Sequence, residues 1–175
     1  MKAPIIRPCL DADVPAITGI YAHHVETGTA SFETEPPDEA EMRRRRDVLV
    51  KSRYPYFVAE LGDEVCGYAY AGPYRTRPAY RHSVEDSVYV GRSAQRRGIG
   101  RALLHSLIRA CTEREFRQMV AIIGDSSQTA SIGLHRAVGF EMVGTLRNVG
   151  YKHGRWLDSV FMQLALGEGA GTPPE

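Results

Sequence analysis

The chain has little that would cross-link it, anchor it or give it one dominant charge. Cysteine occurs three times, at Cys9, Cys66 and Cys111, an odd number without Cys-x-x-Cys spacing. That excludes a disulfide framework and a zinc or redox thiol motif, and it suits reduced thiols in a cytoplasmic protein. Long apolar runs are missing. No stretch approaches the ~20 residues of a membrane-spanning helix, and the first residues lack the apolar core of a signal peptide. A soluble protein without a membrane partner is expected. One-signed charge is missing too: 22 Lys and Arg face 21 Asp and Glu, a net charge of +1. A dedicated nucleic-acid binder is usually markedly basic, so no nucleic-acid partner is expected. The sequence also lacks the Gly-Lys-Ser/Thr of a Walker A loop and the third glycine of a Gly-x-Gly-x-x-Gly dinucleotide fingerprint. With 175 residues and no internal repeat, it reads as one domain large enough for a substantial core.

What is present centres on residues 83–104. The first half alternates Ser83, Glu85, Ser87 and Tyr89 with Val84, Val88 and Val90, the period of a strand. From Arg101 onward, Leu103, Leu104, Leu107 and Ile108 recur at helical spacing. Between them lies Gln95-Arg96-Arg97-Gly98-Ile99-Gly100, a turn that opens the helix. Such a turn aims unpaired N–H groups at one point, where the helix dipole adds positive potential. Its glycines let a bulky anion reach the backbone. The physical product is a pyrophosphate cradle.

The rest of the chain frames this unit. A short strand, Ile5–Pro8, precedes an amphipathic helix capped by Asp11 or Asp13, with Pro15 near its first turn. Residues 27–37 are irregular and hold Phe32, a ring that serves either as a plug on the core or as a pocket wall. Asp38 and Glu41 start a helix to about Lys51, whose Arg43–Arg46 read as a solvated face paired with Glu39, Glu41 or Asp47. Strands 56–60 and 65–70 form a hairpin through Gly62-Asp63, followed by a loop carrying Arg75, Arg77, Tyr80 and Arg81. Beyond the central unit come a buried strand 119–123, a turn, a short helix 129–138 stopped by Gly139, and strands on either side of residues 151–154. The order is β-α-α-β-β-β-α-β-α-β-β, an α/β domain over residues 1–166. Residues 167–175 read as a disordered tail.

The Gln95–Gly100 turn resembles the Gln/Arg-x-x-Gly-x-Gly/Ala motif of the GCN5-related N-acetyltransferases (GNAT), and the element order is similar to theirs. Blocks 29–36 (TASFETEP), 70–75 (YAGPYR), 84–90 (VEDSVYV), 134–140 (LHRAVGF) and 152–158 (KHGRWLD) further resemble one branch, the phosphinothricin and methionine sulfoximine N-acetyltransferases. The resemblance covers nearly the whole chain. It implies a single-domain fold with a mixed, mostly antiparallel central sheet flanked by helices. It also implies acetyl-CoA as co-substrate, no metal, and a homodimer. The implied reaction is direct acetyl transfer, in a ternary complex, to the α-amine of a small amino acid such as phosphinothricin or methionine sulfoximine. Acetylation of a protein N-terminus or another amine would predict an open groove instead. A non-catalytic acetyl-CoA-binding module would tolerate loss of Glu85 and His135, and both are present.

Acetyl transfer to an amine needs a deprotonated nucleophile, oxyanion stabilisation and a proton for the leaving thiolate. The resemblance makes Glu85 the base, directly or through a water, with a backbone N–H near Val88 as oxyanion donor. Val88, Tyr89 and Val90 would pair with the pantetheine arm, while Gln95, Arg96, Arg97, Gly98, Ile99, Gly100 and Arg101 take the pyrophosphate. His135 stands where the wider family commonly has a thiolate-protonating tyrosine. With an ordinary pKa of about 6.5 it suits either acid or base duty. Arg75 and Arg77 suit a substrate carboxylate or phosphinate. Phe32, Thr76, Tyr80, Asp86 and Ser87 complete the expected substrate contacts, and His153 and Trp156 either close the pocket or pack at a strand start. The family often has an asparagine before the short helix; here Gln128, with Ser131 beyond it, is expected at the cofactor. Cys66 and Cys111 fall in a strand and a helix and read as core.

Overall fold

Alternating β-branched and aromatic residues build the strands, and leucine-rich periodic segments build the helices between them. The computed structural model describes residues 3–174; Met1, Lys2 and Glu175, which the domain and tail assignments include, lie outside the described residues. The order is β1 (Ile5–Pro8), α1 (Val14–Thr27), α2 (Glu39–Lys51), β2 (Tyr56–Leu61), β3 (Glu64–Pro73), β4 (Ser83–Val90), α3 (Ile99–Glu113), β5 (Gln118–Gly124), α4 (Thr129–Ala137), β6 (Glu141–Lys152) and β7 (Arg155–Ala165). The seven strands form one sheet, β1-β2-β3-β4-β5-β7-β6. β4 and β5 are parallel, joined by the α3 crossover, and the other neighbouring pairs are antiparallel. This is the mixed, mostly antiparallel sheet that the sequence predicts.

Each face of the sheet carries its own core. On one face α3 buries Leu103, Leu104, Leu107 and Cys111 against Ala69, Val84, Met119 and Ala121. Gly67 permits this approach, because a Cβ there would lie 3.2 Å from Ile99 Cγ2 and 3.0 Å from the Tyr89 carbonyl oxygen. On the other face α1 and α2 bury Val14, Ile17, Tyr21, Val25 and Met42 over Tyr56, Val58, Tyr68 and Tyr89. The tyrosine rings stack there, Tyr68 with Tyr89 at 5.2 Å and Tyr56 with Tyr70 at 5.0 Å.

Local signals explain the helix starts. Asp38 caps α2 by accepting from the Glu41 N–H at 2.8 Å. Asp13 instead accepts from the Leu10 N–H and from both terminal nitrogens of Arg7, which tie β1 to the start of α1. The solvated reading of Arg43–Arg46 fails at one position. Arg46 is buried, donating to Asp11, Asp47 and the Cys9 carbonyl, because the α2 face that carries it turns onto the loop after β1. Beyond β7, Arg117 donates to Glu168 and Thr172, and two turns close at Gly169 and Gly171.

One irregularity positions everything that follows. β4 and β5 pair only from Ser83↔Gln118 to Asp86↔Ala121. β4 then runs on to Val90 and β5 to Gly124 without pairing to each other, so the sheet opens into a split at its centre.

Leu104, fully buried on α3, gives the direct test of this packing. Leu104→Ala is expected to lower unfolding free energy by about 2–5 kcal/mol in urea titrations followed by circular dichroism.

Candidate active site

The split is walled by Ser87, Val88 and Tyr89 on one side and Ile122, Ile123 and Gly124 on the other. At its open end the chain passes through the 95–100 turn into α3. Arg96 and Gly98 both take left-handed backbone, φ 56° and 78°. Gly98 suits this because it lacks a Cβ, and one added there would meet nothing within 4 Å, which leaves the turn open to an approaching group. Among the described residues no side chain caps α3. Its first N–H groups therefore stay free for an anion, with exposed Arg96, Arg97 and Arg101 around them. Gly100 has a different reason: a Cβ would lie 3.0 Å from Leu134 of α4. Donor set and shape fit a pyrophosphate at the turn, with an extended arm entering the split.

Strand alternation divides the titratable groups of β4 between the two faces. Glu85 shares a face with Ser87 and Tyr89, beside Tyr70. Burial pushes the Glu85 carboxyl above its ordinary range; Arg75 opposes that shift and Asp86 adds to it. Asp86 turns to the other face. Expected among the substrate contacts, its side chain instead pairs with His135 of α4, Oδ2 to Nε2 at 3.0 Å. The reason is parity, since Val84, Asp86, Val88 and Val90 point together toward α3 and α4. His135 lines the split together with Asp86, while Glu85 lies on the opposite face of the sheet, two residues before the wall that begins at Ser87.

The loop between α1 and α2 covers the mouth of the split and is strapped from several sides. Thr29 donates to the Gly124 carbonyl at 3.1 Å, and Gln128 donates to Thr29 at 2.9 Å. Buried Lys152 donates to the Ser31 carbonyl at 2.7 Å, and His153 contacts the Gly28 carbonyl at 3.2 Å. These bonds hold Phe32 against two glycines. A Cβ at Gly124 would lie 2.8 Å from the ring, and one at Gly150 would penetrate it. Phe32 remains 39% exposed, so it is not a core plug.

Other expected residues are placed less tightly. Arg75 lies over the Tyr74 ring at 4.4 Å and near enough to Glu85 to oppose its shift; Thr76 and Arg77 are exposed. Tyr80 packs edge-on to Tyr74 at 5.6 Å. Gln128 and Ser131 both line the split, although the Gln128 amide is already committed to Thr29. Trp156 packs on Tyr151 at 5.3 Å and stays exposed. Among the described residues, no group of three or more His, Cys, Asp or Glu is placed to hold a metal.

Two groups on the Glu85 face escape the sequence reading. Arg45 of α2 donates to Glu33 at 2.6 Å, and Tyr21 donates to the same carboxylate at 3.1 Å. Both Arg45 and Glu33 lie close enough to Tyr70 to influence its hydroxyl. The signal lay in Tyr56, Tyr68, Tyr70 and Tyr89, one-faced at period two, which mark the floor onto which α2 must fold.

Comparison with known proteins fits this geometry. The acetyltransferase (GNAT) domain model matches residues 6–161. The chain belongs to the GNAT family. It is therefore an acetyl-CoA-dependent N-acetyltransferase by family. A phosphinothricin N-acetyltransferase of Alcaligenes faecalis is 52% identical over 170 residues, 97% of this chain and 86% of that protein. An L-methionine sulfoximine/L-methionine sulfone acetyltransferase of Pseudomonas aeruginosa is 41% identical, over 96% of this GNAT chain and 98% of its own. A solved GNAT phosphinothricin acetyltransferase from Sinorhizobium meliloti, in complex with acetyl-CoA, superimposes with a TM-score of 0.96 at 47% identity, covering 99% and 94% of the two chains.

Gly150→Ala is expected to displace the Phe32 ring. The KM for the amine substrate should rise about tenfold or more while the KM for acetyl-CoA stays within about twofold, as read from initial rates with each substrate varied in turn.

Proposed function

We propose that this GNAT enzyme acetylates the α-amine of a small amino acid of the phosphinothricin or methionine sulfoximine type. The observation that carries the reading is Glu85, a half-buried carboxylate with a raised proton affinity, set beside the split on a face lined by Tyr70, Ser87 and arginines. The two curated relatives above, at 52% and 41% identity, carry names that give those substrates. Strapping of residues 28–33 across the mouth favours a closed pocket over the open groove that a peptide N-terminus would need.

Bound acetyl-CoA supplies the activated acetyl thioester. The chain's own residues do the rest. The 95–101 turn and its arginines hold the pyrophosphate, and the free edge of β4 over Val88–Val90 receives the pantetheine arm. Glu85 takes the proton from the amine, directly or through a water, and a β4 N–H near Val88 faces the developing oxyanion. His135 supplies the proton that the departing sulfur takes up. Arg75 and Arg77 attract the substrate's carboxylate and acidic end. Phe32 shields its stem.

The enzyme acts as a homodimer in this reading. Met142, Val143, Leu146, Val149, Tyr151 and Trp156 leave a large apolar surface bare on edge strand β6 and the start of β7. An uncovered apolar edge strand of this kind invites a second copy. A cytoplasmic location suits three buried free thiols.

Free-thiol release from acetyl-CoA tests the substrate class. Turnover is expected with L-phosphinothricin, L-methionine sulfoximine or L-methionine sulfone, and not with spermidine or an N-terminal peptide. Activity on peptide or spermidine alone would reverse the reading. Glu85→Gln should cut kcat by roughly 10²-fold or more at an almost unchanged acetyl-CoA KM. Because burial raises the Glu85 pKa, the wild-type rate should fall on acidification at a higher pH than an ordinary carboxylate at about 4.3 allows. Light scattering should report two chains per particle, and Trp156→Glu should shift that toward one.

A further inference from the structure

Both ring nitrogens of His135 face acceptors. Nδ1 lies 2.8 Å from the Ser131 carbonyl oxygen, and Nε2 lies 3.0 Å from Asp86 Oδ2. A carbonyl only accepts, so Nδ1 carries a proton. One further proton must then sit on the Nε2–Oδ2 line, as imidazolium beside carboxylate or as imidazole beside carboxylic acid. The pair is dry, its side chains 3% and 1% exposed. Phe140 stands edge-on to the ring at 5.1 Å and fixes its plane. The pair also closes the inner end of the split, because Asp86 forms the last rung of the β4–β5 ladder.

Asp86 Oδ1 is buried without a hydrogen-bond partner. A bare buried acceptor is destabilising, so a purely structural ion pair would be better built with that oxygen satisfied. Little else surrounds the pair. Glu85 projects through the opposite face, Cys111 of α3 is a thiol pushed up to about 12, chiefly by burial, and Arg136 of α4 is exposed. On this face β5 brings the uncharged Met119, Ala121 and Ile123. Among the described residues, Asp86 is therefore the one charged group placed to set the state of the ring.

We propose that Asp86 is a positioning residue for acetyl transfer: it keeps the His135 ring doubly protonated and fixed at the inner end of the split, so that the pair delivers one proton to the departing sulfur. This rests on His135 as the proton donor, proposed above. As the C–N bond forms and the C–S bond breaks, the electron pair leaves with sulfur and the dyad's proton follows it. That leaves neutral imidazole beside carboxylate, and the dyad is reloaded by the proton that the amine gives up to Glu85 and solvent. The direction of the ring's proton affinity agrees. Burial lowers it, the Asp86 carboxylate and the Ser131 carbonyl together raise it, and the net change is upward.

The test combines spectroscopy on the protein without acetyl-CoA with kinetics. Ring ¹⁵N NMR of the wild type, assigned by loss in His135→Gln, should show both nitrogens protonated at pH 7 and a titration above that of an ordinary histidine. Asp86→Asn should move that titration down. Its kcat should fall roughly ten- to a hundredfold, within the range of acid–base assistance, at an acetyl-CoA KM changed less than about twofold. The alkaline limb of kcat should shift to lower pH, and adding Asp86→Asn to His135→Gln should cost nothing more. A singly protonated wild-type ring at pH 7, or a titration that Asp86→Asn leaves unmoved while His135→Gln is inactive, overturns the proposal alone. Full turnover in His135→Gln with the NMR result intact overturns the donor role and the proposal with it. If Asp86→Asn does not fold, Asp86→Glu is read in the same way: it should retain the doubly protonated ring and part of the turnover, and loss of double protonation overturns the proposal.

Discussion

The rest of the structure depends on where the β4–β5 ladder stops. Parallel strands need a crossover, and here α3 supplies it while burying its leucines on the sheet. Pairing ends at Asp86↔Ala121, although both strands continue. The uncovered β4 edge, the uncapped helix N-terminus and the two faces of side chains then converge on one opening. If β4 and β5 stayed paired to their ends, the same residues would form an uninterrupted sheet with no site in it.

From that constraint follows a division of labour by strand parity. Glu85 and Asp86 are neighbours in sequence, yet they serve opposite faces of the sheet. Each meets a different environment: Glu85 a half-buried tyrosine-floored surface, Asp86 a dry pairing with His135. Two adjacent carboxylates thereby acquire separate environments without any change of backbone.

Much of this was legible in the sequence because it rests on local rules. Alternation marks β4, the leucine period marks α3, and the glycines at 98 and 100 mark the turn between them, all placed within a residue or two of where they lie. Long-range pairings were not legible. Nothing local says that Asp86 meets His135 across 49 positions of chain, or that Arg46 is drawn inward by Asp11 and the Cys9 carbonyl. Parity places Asp86 on the face opposite Glu85, but only the docking of α4 supplies its partner. Phe32 was equally open until Gly124 and Gly150 showed where its ring fits. Nor does anything local say that Arg117, just before β5, donates to Glu168 and Thr172.

A net charge of +1 conceals an uneven field. The arginines of α2 are compensated locally, Arg44 and Arg45 by Glu41 and Glu33, and Arg46 by Asp11 and Asp47. Arg96, Arg97 and Arg101 at the turn are exposed and, among the described residues, join no carboxylate. A polyanion diffusing near this nearly neutral protein therefore meets uncompensated positive charge at the turn. Cofactor capture becomes a steered encounter, faster than a uniform surface of the same charge would allow and slower as ionic strength rises.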